Sequence, residues 1–353
     1  MRAAVYHGQG DLRIESVPDP GETGDHDLKL AVSRAAICGT DSSEFTSGPR
    51  MIPLNRVHPG SGHSGPMIIG HEFVGEVTEA GSDTGDFRVG DRVVSGAGVS
   101  CGSCDWCLRG ETNLCDRYYT LGLNADGGMA EAVISPAGIC FVVPESVSDE
   151  DAAMTQPLAV AIHALDKGGA GAGASAVIIG VGGIGALMVG AAASRGFRDL
   201  IAVDIDPVRL ESAAALGATE TVDARTADVA ATIREITGNV GADVVFEASG
   251  AAPMASVGVS ATRNGGRVVI VGHPTAPAEV NLADAGLREV DLIGTVAHIC
   301  GSDIPAALAL LESTPIARHV LDRVIPVENL VAEGLNPLAE GRATGKIVVD
   351  VRS

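Results

Sequence analysis

Four cysteines lie in one fifteen-residue run, CGSCDWCLRGETNLC, with the spacing Cys-x2-Cys-x2-Cys-x7-Cys. They are Cys101, Cys104, Cys107 and Cys115. This spacing is typical of a closed tetrahedral zinc site, which stabilises a fold and leaves no position open to a substrate. Disulfides or a redox pair are the alternatives, but the N-terminal residues do not resemble a signal peptide, and a reducing compartment keeps thiols free for metal. The sequence predicts a structural zinc lobe at about residues 95–120 and a catalytic centre elsewhere.

A second group of potential metal ligands stands in the segments CGTD and GHEF. Cys38, His71 and Glu72 would supply a thiolate, an imidazole and a carboxylate, a set that leaves one zinc position open to a substrate oxygen. The alternative is a buried core cysteine with a histidine bonded to backbone, and it does not account for both segments together. We therefore expect a catalytic zinc site.

A glycine-rich turn, GVGGIG, follows the apolar segment AVII and precedes an alanine-rich segment. Between a strand and a helix, such glycines allow a tight turn and a close approach of pyrophosphate to the amides of the helix N-terminus. Glycines that merely allow packing are the alternative. The predicted binding residues for a dinucleotide are Gly180, Gly182, Gly183, Ile184, Gly185, Asp204, Arg209 and Val271.

The choice between the two dinucleotides depends on Asp204, which ends the next apolar segment, LIAVD. A carboxylate at this point accepts hydrogen bonds from the adenosine ribose and repels a 2'-phosphate. We therefore expect NAD rather than NADP. Arg209 weakens this expectation, because its guanidinium could stack on adenine or attract a phosphate.

Composition excludes several classes of partner. The chain has 353 residues, a formal net charge of -21 and a pI near 4.7. An acidic surface repels nucleic acid and anionic membranes, so we expect small-molecule ligands. The apolar stretch Ser175 to Ser194 approaches the length of a membrane span but contains patterned glycines, which favours a buried strand, turn and helix.

The pattern of the chain predicts two domains. Residues 1–153 are broken into short β-branched runs, which predicts an irregular, mostly β catalytic domain. Residues 154–296 alternate strand-length apolar runs with alanine-rich helical stretches, which predicts a doubly wound parallel sheet of the Rossmann type. Residues 297–353 should return to the first domain. The fold class is therefore α/β with a second, mostly β domain.

Six motifs follow one another along the chain: CGTD, GHEFVGEV, GDRV, the four-cysteine run, QPLAV and GVGGIG. In this order they resemble the zinc-dependent medium-chain alcohol and polyol dehydrogenases, and the resemblance covers essentially the whole chain. The loop between Cys38 and His71 and the segment GTVAH are most similar to 2,3-butanediol and sorbitol-type dehydrogenases. The resemblance implies a GroES-like catalytic domain, two zinc ions per chain, NAD, and a secondary alcohol, vicinal diol or polyol as substrate. We also expect a homodimer or homotetramer in the cytoplasm.

The resemblance assigns roles to individual metal ligands. Cys38 and His71 would bind the catalytic zinc, and Glu72 would be a ligand that exchanges with water. Gln156 stands where polyol dehydrogenases usually have glutamate. A glutamine amide oxygen is neutral and binds zinc more weakly than a glutamate carboxylate does. Gln156 would therefore either bind zinc directly or contact it through a water molecule.

Further roles are implied for three other residues. Thr40 would take the proton of the substrate alcohol. Ser43 replaces the histidine that many members use further along this proton relay. Lys346 resembles the basic residue that meets the pyrophosphate from the returning strand, with a surface charge as the alternative.

Three other functions compete with this interpretation. An NAD-binding sensor that contains the structural zinc but has no catalytic activity would require the loss of Cys38, His71 or Thr40, and all three are present. Zinc-free quinone or enone reductases of the same fold normally lack the four-cysteine run and GHE. A sugar or aminocyclitol dehydrogenase of the same family stays open.

Overall fold

The computed structural model describes residues 1–274 and 276–353 and divides the chain into two units. Unit 1 contains residues 1–159, 298–315 and 321–353, and unit 2 contains residues 160–297 and 316–320. The boundary between the two units lies after residue 159, six residues later than the predicted boundary after residue 153. The expected return of all of residues 297–353 to the first domain is wrong for residues 316–320, because Ile316 packs against Gly190 of unit 2.

The strands of the described residues are numbered in chain order. They are β1 (Arg2–Gly8), β2 (Asp11–Ser16), β3 (Asp27–Ala36), β4 (Met67–Ile68), β5 (Phe73–Ala80), β6 (Arg92–Ser95), β7 (Gly98–Val99), β8 (Tyr119–Thr120), β9 (Ala132–Pro136), β10 (Cys140–Val142), β11 (Ser175–Ile179), β12 (Asp199–Asp204), β13 (Glu220–Asp223), β14 (Ala242–Glu247), β15 (Thr262–Ile270), β16 (Asp291–Gly294), β17 (Leu321–Pro326) and β18 (Lys346–Asp350).

The α-helices of the described residues follow the same order. They are α1 (Gly39–Ser47), α2 (Asp105–Leu108), α3 (Asp149–Ala152), α4 (Thr155–Gly168), α5 (Gly183–Ala193), α6 (Pro207–Ala215), α7 (Val229–Ile236), α8 (Ala252–Ala261), α9 (Leu282–Leu287), α10 (Cys300–Ser313), α11 (Ile316–Val320) and α12 (Asn336–Ala339). The boundary between the two units after residue 159 lies inside α4.

Unit 1 is mostly β, as its short β-branched runs predict. Its larger sheet has the strand order β10-β6-β5-β3-β18-β17, with β9 also paired to β3, and a smaller sheet has the order β2-β1-β4. Alternate residues of β3 point into one core: Leu28, Leu30 and Val32 are fully buried with Phe73 and Val77 of β5. The strand β3 therefore lies at the centre of the unit, between β5 and β18.

Unit 2 contains a parallel sheet with the order β13-β12-β11-β14-β15-β16. Its strands are apolar along their length, and Val177, Ile179, Ile201 and Val203 are buried in one core, as expected for a parallel sheet covered on both faces. The order reverses between β11 and β14, and the carboxyl ends of such neighbouring strands form the crevice in which dinucleotides bind. The predicted fold class is confirmed.

The apolar stretch from Ser175 forms strand β11, a turn and helix α5, as predicted. In the part of the chain that the structure describes, no helix combines the length and the apolar composition needed to cross a membrane.

The four cysteines of the lobe converge, and their sulfur atoms lie within 4.8 Å of one another. The Sγ atoms of Cys104 and Cys107 are 3.6 Å apart. Two thiolates of a tetrahedral site with Zn–S distances of about 2.3 Å lie roughly 3.8 Å apart, so the sulfur spacing fits zinc. A disulfide would require about 2.0 Å, and none of the cysteines forms one.

Backbone amides surround the sulfur atoms of this lobe. The N–H groups of Ser103 and Cys104 donate to the Cys101 sulfur at 3.5 and 3.4 Å, and those of Cys101 and Arg117 donate to the Cys115 sulfur at 3.2 and 3.3 Å. Hydrogen bonds from Ser103 above all lower the pKa of Cys101 to about 5, whereas burial raises the pKa of Cys115 to about 11. The lowered pKa of Cys101 favours its thiolate form, and the raised pKa of Cys115 means that this thiol must release a proton when metal binds.

Replacing one of these ligands should open the closed site. In Cys104→Ser we expect the zinc content to fall by one ion per chain and the melting temperature to fall by roughly 5 °C or more. Assembly should also suffer, because the lobe loses its cross-link. Metal analysis and thermal unfolding measure both effects.

The exposed neighbour Ser103 supplies the control, because Ser103→Ala keeps all four thiolates. This variant should retain its zinc content and nearly all of its stability. An unchanged zinc content and melting temperature in Cys104→Ser would rule out the structural assignment.

Candidate active site

The structure brings Cys38, His71 and Glu72 together, with one ligand atom of each within 4.8 Å of the others. Cys38 is the residue before helix α1, and His71 and Glu72 directly precede strand β5. His71 is 4% exposed and Glu72 is fully buried. A thiolate, an imidazole and a carboxylate in one buried cluster form a donor set that suits zinc.

The strand register explains why these residues meet. Ala36 at the end of β3 donates its N–H to the carbonyl of Glu72 at 2.7 Å, while Ala35 pairs with Phe73. The chain leaving β3 therefore lies beside the chain entering β5. Cys38 and His71 are brought together by this antiparallel pairing rather than by sequence proximity.

Asp41 links the two ligands and is not among the residues that the sequence analysis singled out. Its Oδ2 accepts from the Cys38 N–H at 2.9 Å, and its Oδ1 lies 3.6 Å from Nδ1 of His71. Metal-binding histidines commonly direct their second ring nitrogen to a carboxylate, which leaves Nε2 for the metal. The capping-box spacing of Cys38 and Asp41 within CGTD is the signal that could have identified this residue.

The electrostatic environment of His71 is strongly negative. Burial lowers the pKa of His71, but the charges of Asp41 and Cys38 raise it more, and the net result is a pKa well above its ordinary value. The same negative groups favour any cation at this point. A metal that binds here must displace a proton from the imidazole.

Lys346 lies at this site, beside Glu72. It is 5% exposed, and its Nζ donates to the carbonyl of Ile37 at 2.7 Å and to Oε2 of Glu72. The alternative of a surface charge is incorrect, because the ammonium group is buried against Glu72, while the pyrophosphate contact stays a prediction. The sequence could not indicate this pair, whose members are 274 residues apart.

The residues present fit a catalytic zinc ion. Oε1 of Glu72 is buried and makes no hydrogen bond within the described structure. Buried polar atoms without partners are rare in native proteins and commonly mark a missing ion or water. This atom belongs to a residue of the predicted ligand set.

The other predicted catalytic residues are placed as follows. The Oγ1 atom of Thr40 lies 3.6 Å from the Cys38 sulfur. Ser43 lies within α1, and its carbonyl accepts from the Ser47 hydroxyl at 3.0 Å. Gln156 is buried in the first turn of α4. Thr40 is therefore beside the ligand cluster, while the roles of Ser43 and Gln156 remain predictions.

The glycine-rich turn of unit 2 has the geometry that a dinucleotide requires. Gly180 has a φ of +86°, and a Cβ at this residue would lie 2.6 Å from Ser249 Cα. Gly182 faces open space, with a side-chain atom of Arg209 at 3.9 Å as its nearest neighbour, and it precedes helix α5 without a side-chain cap. Gly185 packs against the carbonyl of Gly180. The turn thus leaves backbone amides accessible to a pyrophosphate.

Asp204, at the end of β12, is hydrogen-bonded to this turn. Its Oδ2 accepts from the Val181 N–H at 2.8 Å, and its Oδ1 accepts from the N–H groups of Ile205 and Asp206 at 2.8 and 3.0 Å. Arg209 lies 3.9 Å from the same carboxylate. Oδ1 already accepts two hydrogen bonds, but Oδ2 accepts only one, so Asp204 can still receive a hydrogen bond from a ribose through Oδ2.

The remaining predicted cofactor residues follow the same edge of the sheet. Gly183 and Ile184 begin α5, and Val271 follows β15, where its N–H donates to the carbonyl of Glu247 at 2.8 Å. The carboxyl ends of β11, β12 and β15 therefore carry the residues that the sequence assigned to the cofactor.

Comparison with known proteins identifies the family of the chain. Residues 24–145 match the model of the alcohol dehydrogenase GroES-like domain, and residues 183–313 match that of the zinc-binding dehydrogenase. The chain is 34% identical over 352 residues to (R,R)-butanediol dehydrogenase of Bacillus subtilis, covering 99% of both chains. It is also 34% identical over 296 residues to sorbitol dehydrogenase of Bacillus subtilis, covering 83% of this chain and 81% of the relative.

Solved structures of dehydrogenases also resemble this chain over nearly its whole length. The crystal structure of 2R,3R-butanediol dehydrogenase from Bacillus subtilis superposes with a TM-score of 0.91 at 32% identity, covering 99% of both chains. The alcohol dehydrogenase TADH from Thermus sp. ATN1 superposes with a TM-score of 0.88 at 30% identity, covering 99% of both chains. The predicted family, enzyme class and cofactors are confirmed: the chain belongs to the zinc-dependent medium-chain alcohol and polyol dehydrogenases and is an NAD-dependent oxidoreductase.

Proposed function

We propose that this enzyme oxidises a secondary alcohol with a neighbouring hydroxyl group, with 2,3-butanediol and acetoin as the leading pair and sorbitol-like polyols second. The observation that carries the proposal is the buried cluster of Cys38, His71 and Glu72, which supplies a zinc position of the polyol type. The 34% identity to a butanediol dehydrogenase over nearly the whole chain supports the choice of a diol.

The proposed chemistry divides between the two bound groups and the protein. At the cluster a zinc ion would supply Lewis acidity towards the alcohol oxygen, and NAD would supply the hydride acceptor. The carboxylate of Asp41 faces Nδ1 of His71 at 3.6 Å, and its charge favours the ring orientation that directs Nε2 to the zinc. Thr40 places a hydroxyl beside Cys38 that can accept the substrate proton and pass it towards Ser43.

A second hydroxyl on the substrate suits this site. It gives the substrate another oxygen with which to reach the zinc position or a nearby polar group such as Gln156, and two contacts orient the reacting carbon better than one. No lysine or arginine other than the buried Lys346 is paired to the cluster among the described residues. A neutral diol therefore fits better than a charged substrate.

The substrate proposal is tested by comparing kcat/KM for 2,3-butanediol, sorbitol and 2-butanol with NAD. We expect the diol to exceed 2-butanol by roughly tenfold or more, because the second oxygen restricts the orientation of the reacting carbon. A preference for 2-butanol or for a primary alcohol would contradict the diol proposal and leave the zinc-dependent chemistry intact.

Cofactor choice is proposed to depend on Asp204. In Asp204→Asn the side chain can still accept from the Val181 N–H but carries no charge, so a 2'-phosphate is no longer repelled. We expect the ratio of kcat/KM for NAD to that for NADP to fall by roughly tenfold. Asp204→Ser also loses the side-chain oxygen that reaches the Val181 N–H, so it should lower the ratio of kcat/KM for NAD to that for NADP further.

The matched control is Asp199→Asn at the opposite end of the same strand, which should leave the ratio unchanged. This assignment is wrong if the unmodified enzyme already uses NADP more efficiently than NAD.

The buried pair of Lys346 and Glu72 gives a stability prediction. In metal-free protein, Lys346→Met leaves Glu72 as an unpaired buried carboxylate and should lower the free energy of unfolding by about 3 kcal/mol or more. The double variant Lys346→Met with Glu72→Gln should recover most of this loss, because it removes the orphaned charge. Chemical denaturation of the metal-stripped proteins measures both.

The metal provides the internal control for this pair. A bound zinc ion compensates the charge of Glu72, so zinc should stabilise Lys346→Met by more than it stabilises the unmodified protein. If the losses of stability in metal-free Lys346→Met and in metal-free Glu72→Gln add up in the double variant, the pair is not coupled.

We also propose that the enzyme is a homodimer or homotetramer of the cytoplasm. Strand β16 is the edge of the parallel sheet, and nearby apolar side chains are exposed, with Leu282 at 70%, Leu287 at 89% and Leu292 at 42%. Uncovered edge strands with apolar neighbours favour association with another chain. The free cysteines are consistent with a reducing compartment.

A further inference from the structure

Glu247, the last residue of β14, is a buried acid that the proposed zinc and hydride chemistry does not use. It is 2% exposed. Its Oε1 accepts from the N–H groups of Ser249 and Gly250 at 2.9 and 3.1 Å and from the Ser249 hydroxyl. Its Oε2 has one longer hydrogen bond, from the Gly250 N–H at 3.3 Å. All of these donors are uncharged.

A buried carboxylate without a cation is costly, because hydrogen bonds satisfy its oxygen atoms but do not neutralise its charge. The described residues form no salt bridge with Glu247, whereas Asp243 at the other end of the same strand pairs with Arg263 at 2.6 Å. No cation of the described residues therefore compensates a negative charge on Glu247, and a positively charged ligand beside it would do so.

The location of Glu247 indicates which ligand this is. It pairs in register with Ile179 of β11, and the Ala248 N–H donates to the carbonyl of Ile179 at 2.8 Å. The loop that its carboxylate orders, at Ser249, is the one that packs on Gly180. Glu247 therefore borders the crevice where the strand order reverses, on the side of the glycine turn away from Asp204.

A dinucleotide with its adenosine ribose at Asp204 and its pyrophosphate at the glycine turn must extend its other half over β14 and β15. That half carries the nicotinamide ring, which is positively charged in NAD+ and neutral in NADH. A fixed negative charge beside it discriminates between the two oxidation states.

We propose that the Glu247 carboxylate favours NAD+ over NADH at the nicotinamide half of the site and so lowers the reduction potential of the bound couple. This proposal rests on the use of NAD by the enzyme. Glu247 acts through the electrostatic potential at the ring. It also orders the loop of Ser249 and Gly250, and the two effects can be separated by experiment.

The test is the equilibrium binding of both cofactors to zinc-loaded Glu247→Gln, with NAD+ followed by calorimetry and NADH by fluorescence. We expect the ratio of the Kd for NAD+ to the Kd for NADH to rise by roughly tenfold. A tenfold change for this two-electron couple raises the potential of the bound cofactor by about 30 mV. A ratio unchanged within twofold overturns the proposal.

Two control variants separate charge from structure. Ser249→Ala removes a donor to the carboxylate but keeps the charge, so it should weaken both cofactors in parallel. Asp243→Asn removes a charge at the opposite end of β14, roughly 13 Å away along the strand, and should leave the ratio unchanged. If Asp243→Asn changes the ratio of the two Kd values as much as Glu247→Gln does, the effect comes from the net charge of the protein. That result would overturn the local role of Glu247.

Other outcomes are also distinguishable. If Glu247→Gln and Glu247→Ser fail to fold while Glu247→Asp folds, the carboxylate serves loop structure and the proposal is overturned. If the unmodified enzyme binds neither NAD+ nor NADH, the use of NAD itself fails, and this inference fails with it. Parallel binding of both cofactors with an unaltered ratio refutes only the role of Glu247.

Discussion

The active site depends on the position of β3 between β5 and β18. The Ala36 N–H bonds to the carbonyl of Glu72 on one side, and the Ile37 N–H bonds to the carbonyl of Ile347 at 2.9 Å on the other. Each of the three strands thus carries one part of the site at the same level: Cys38 after β3, His71 and Glu72 before β5, and Lys346 at the start of β18. Because a slip of one residue would turn these side chains to the opposite face, the register itself specifies the metal site.

The charges of this site follow from that arrangement. With zinc bound, the imidazole of His71 is neutral. Cys38 as a thiolate, Asp41 and Glu72 are then three anionic groups, and Lys346 is the one cationic side chain paired to them in the described residues. The two negative charges that remain correspond to the charge of one zinc ion. Burying such a set without the ion would be costly, so the donor residues are arranged for a divalent cation rather than for the stability of the metal-free chain.

The sequence predicted the features that depend on local spacing. The cysteine run, the segments CGTD and GHEF, and the turn from Gly180 to Gly185 each reveal their geometry within about fifteen residues. The strand, turn and helix of residues 175–193 follow from the same local pattern. The family resemblance added the order of the motifs and the substrate class, which no single motif contains.

Asp41 was missed although its capping-box spacing from Cys38 is a local signal, whereas the other missed features are non-local. The pairing of Lys346 with Glu72 was not predicted, because the two residues are 274 positions apart and only the pairing of β18 with β3 brings them together. Residues 316–320 were placed in the wrong unit because their packing on Gly190 has no sequence signal. Glu247 resembles an ordinary strand-end acid until its burial and its uncharged partners are known.

The most direct test of the register-built metal site is a crystal structure with anomalous diffraction data collected at the zinc absorption edge. We expect two anomalous peaks per chain, one among Cys38, His71 and Glu72 and the other among the four cysteines of the lobe. A single peak at the lobe, with Cys38 and His71 contacting only protein or water, would contradict the claim that the strand register builds a catalytic zinc site.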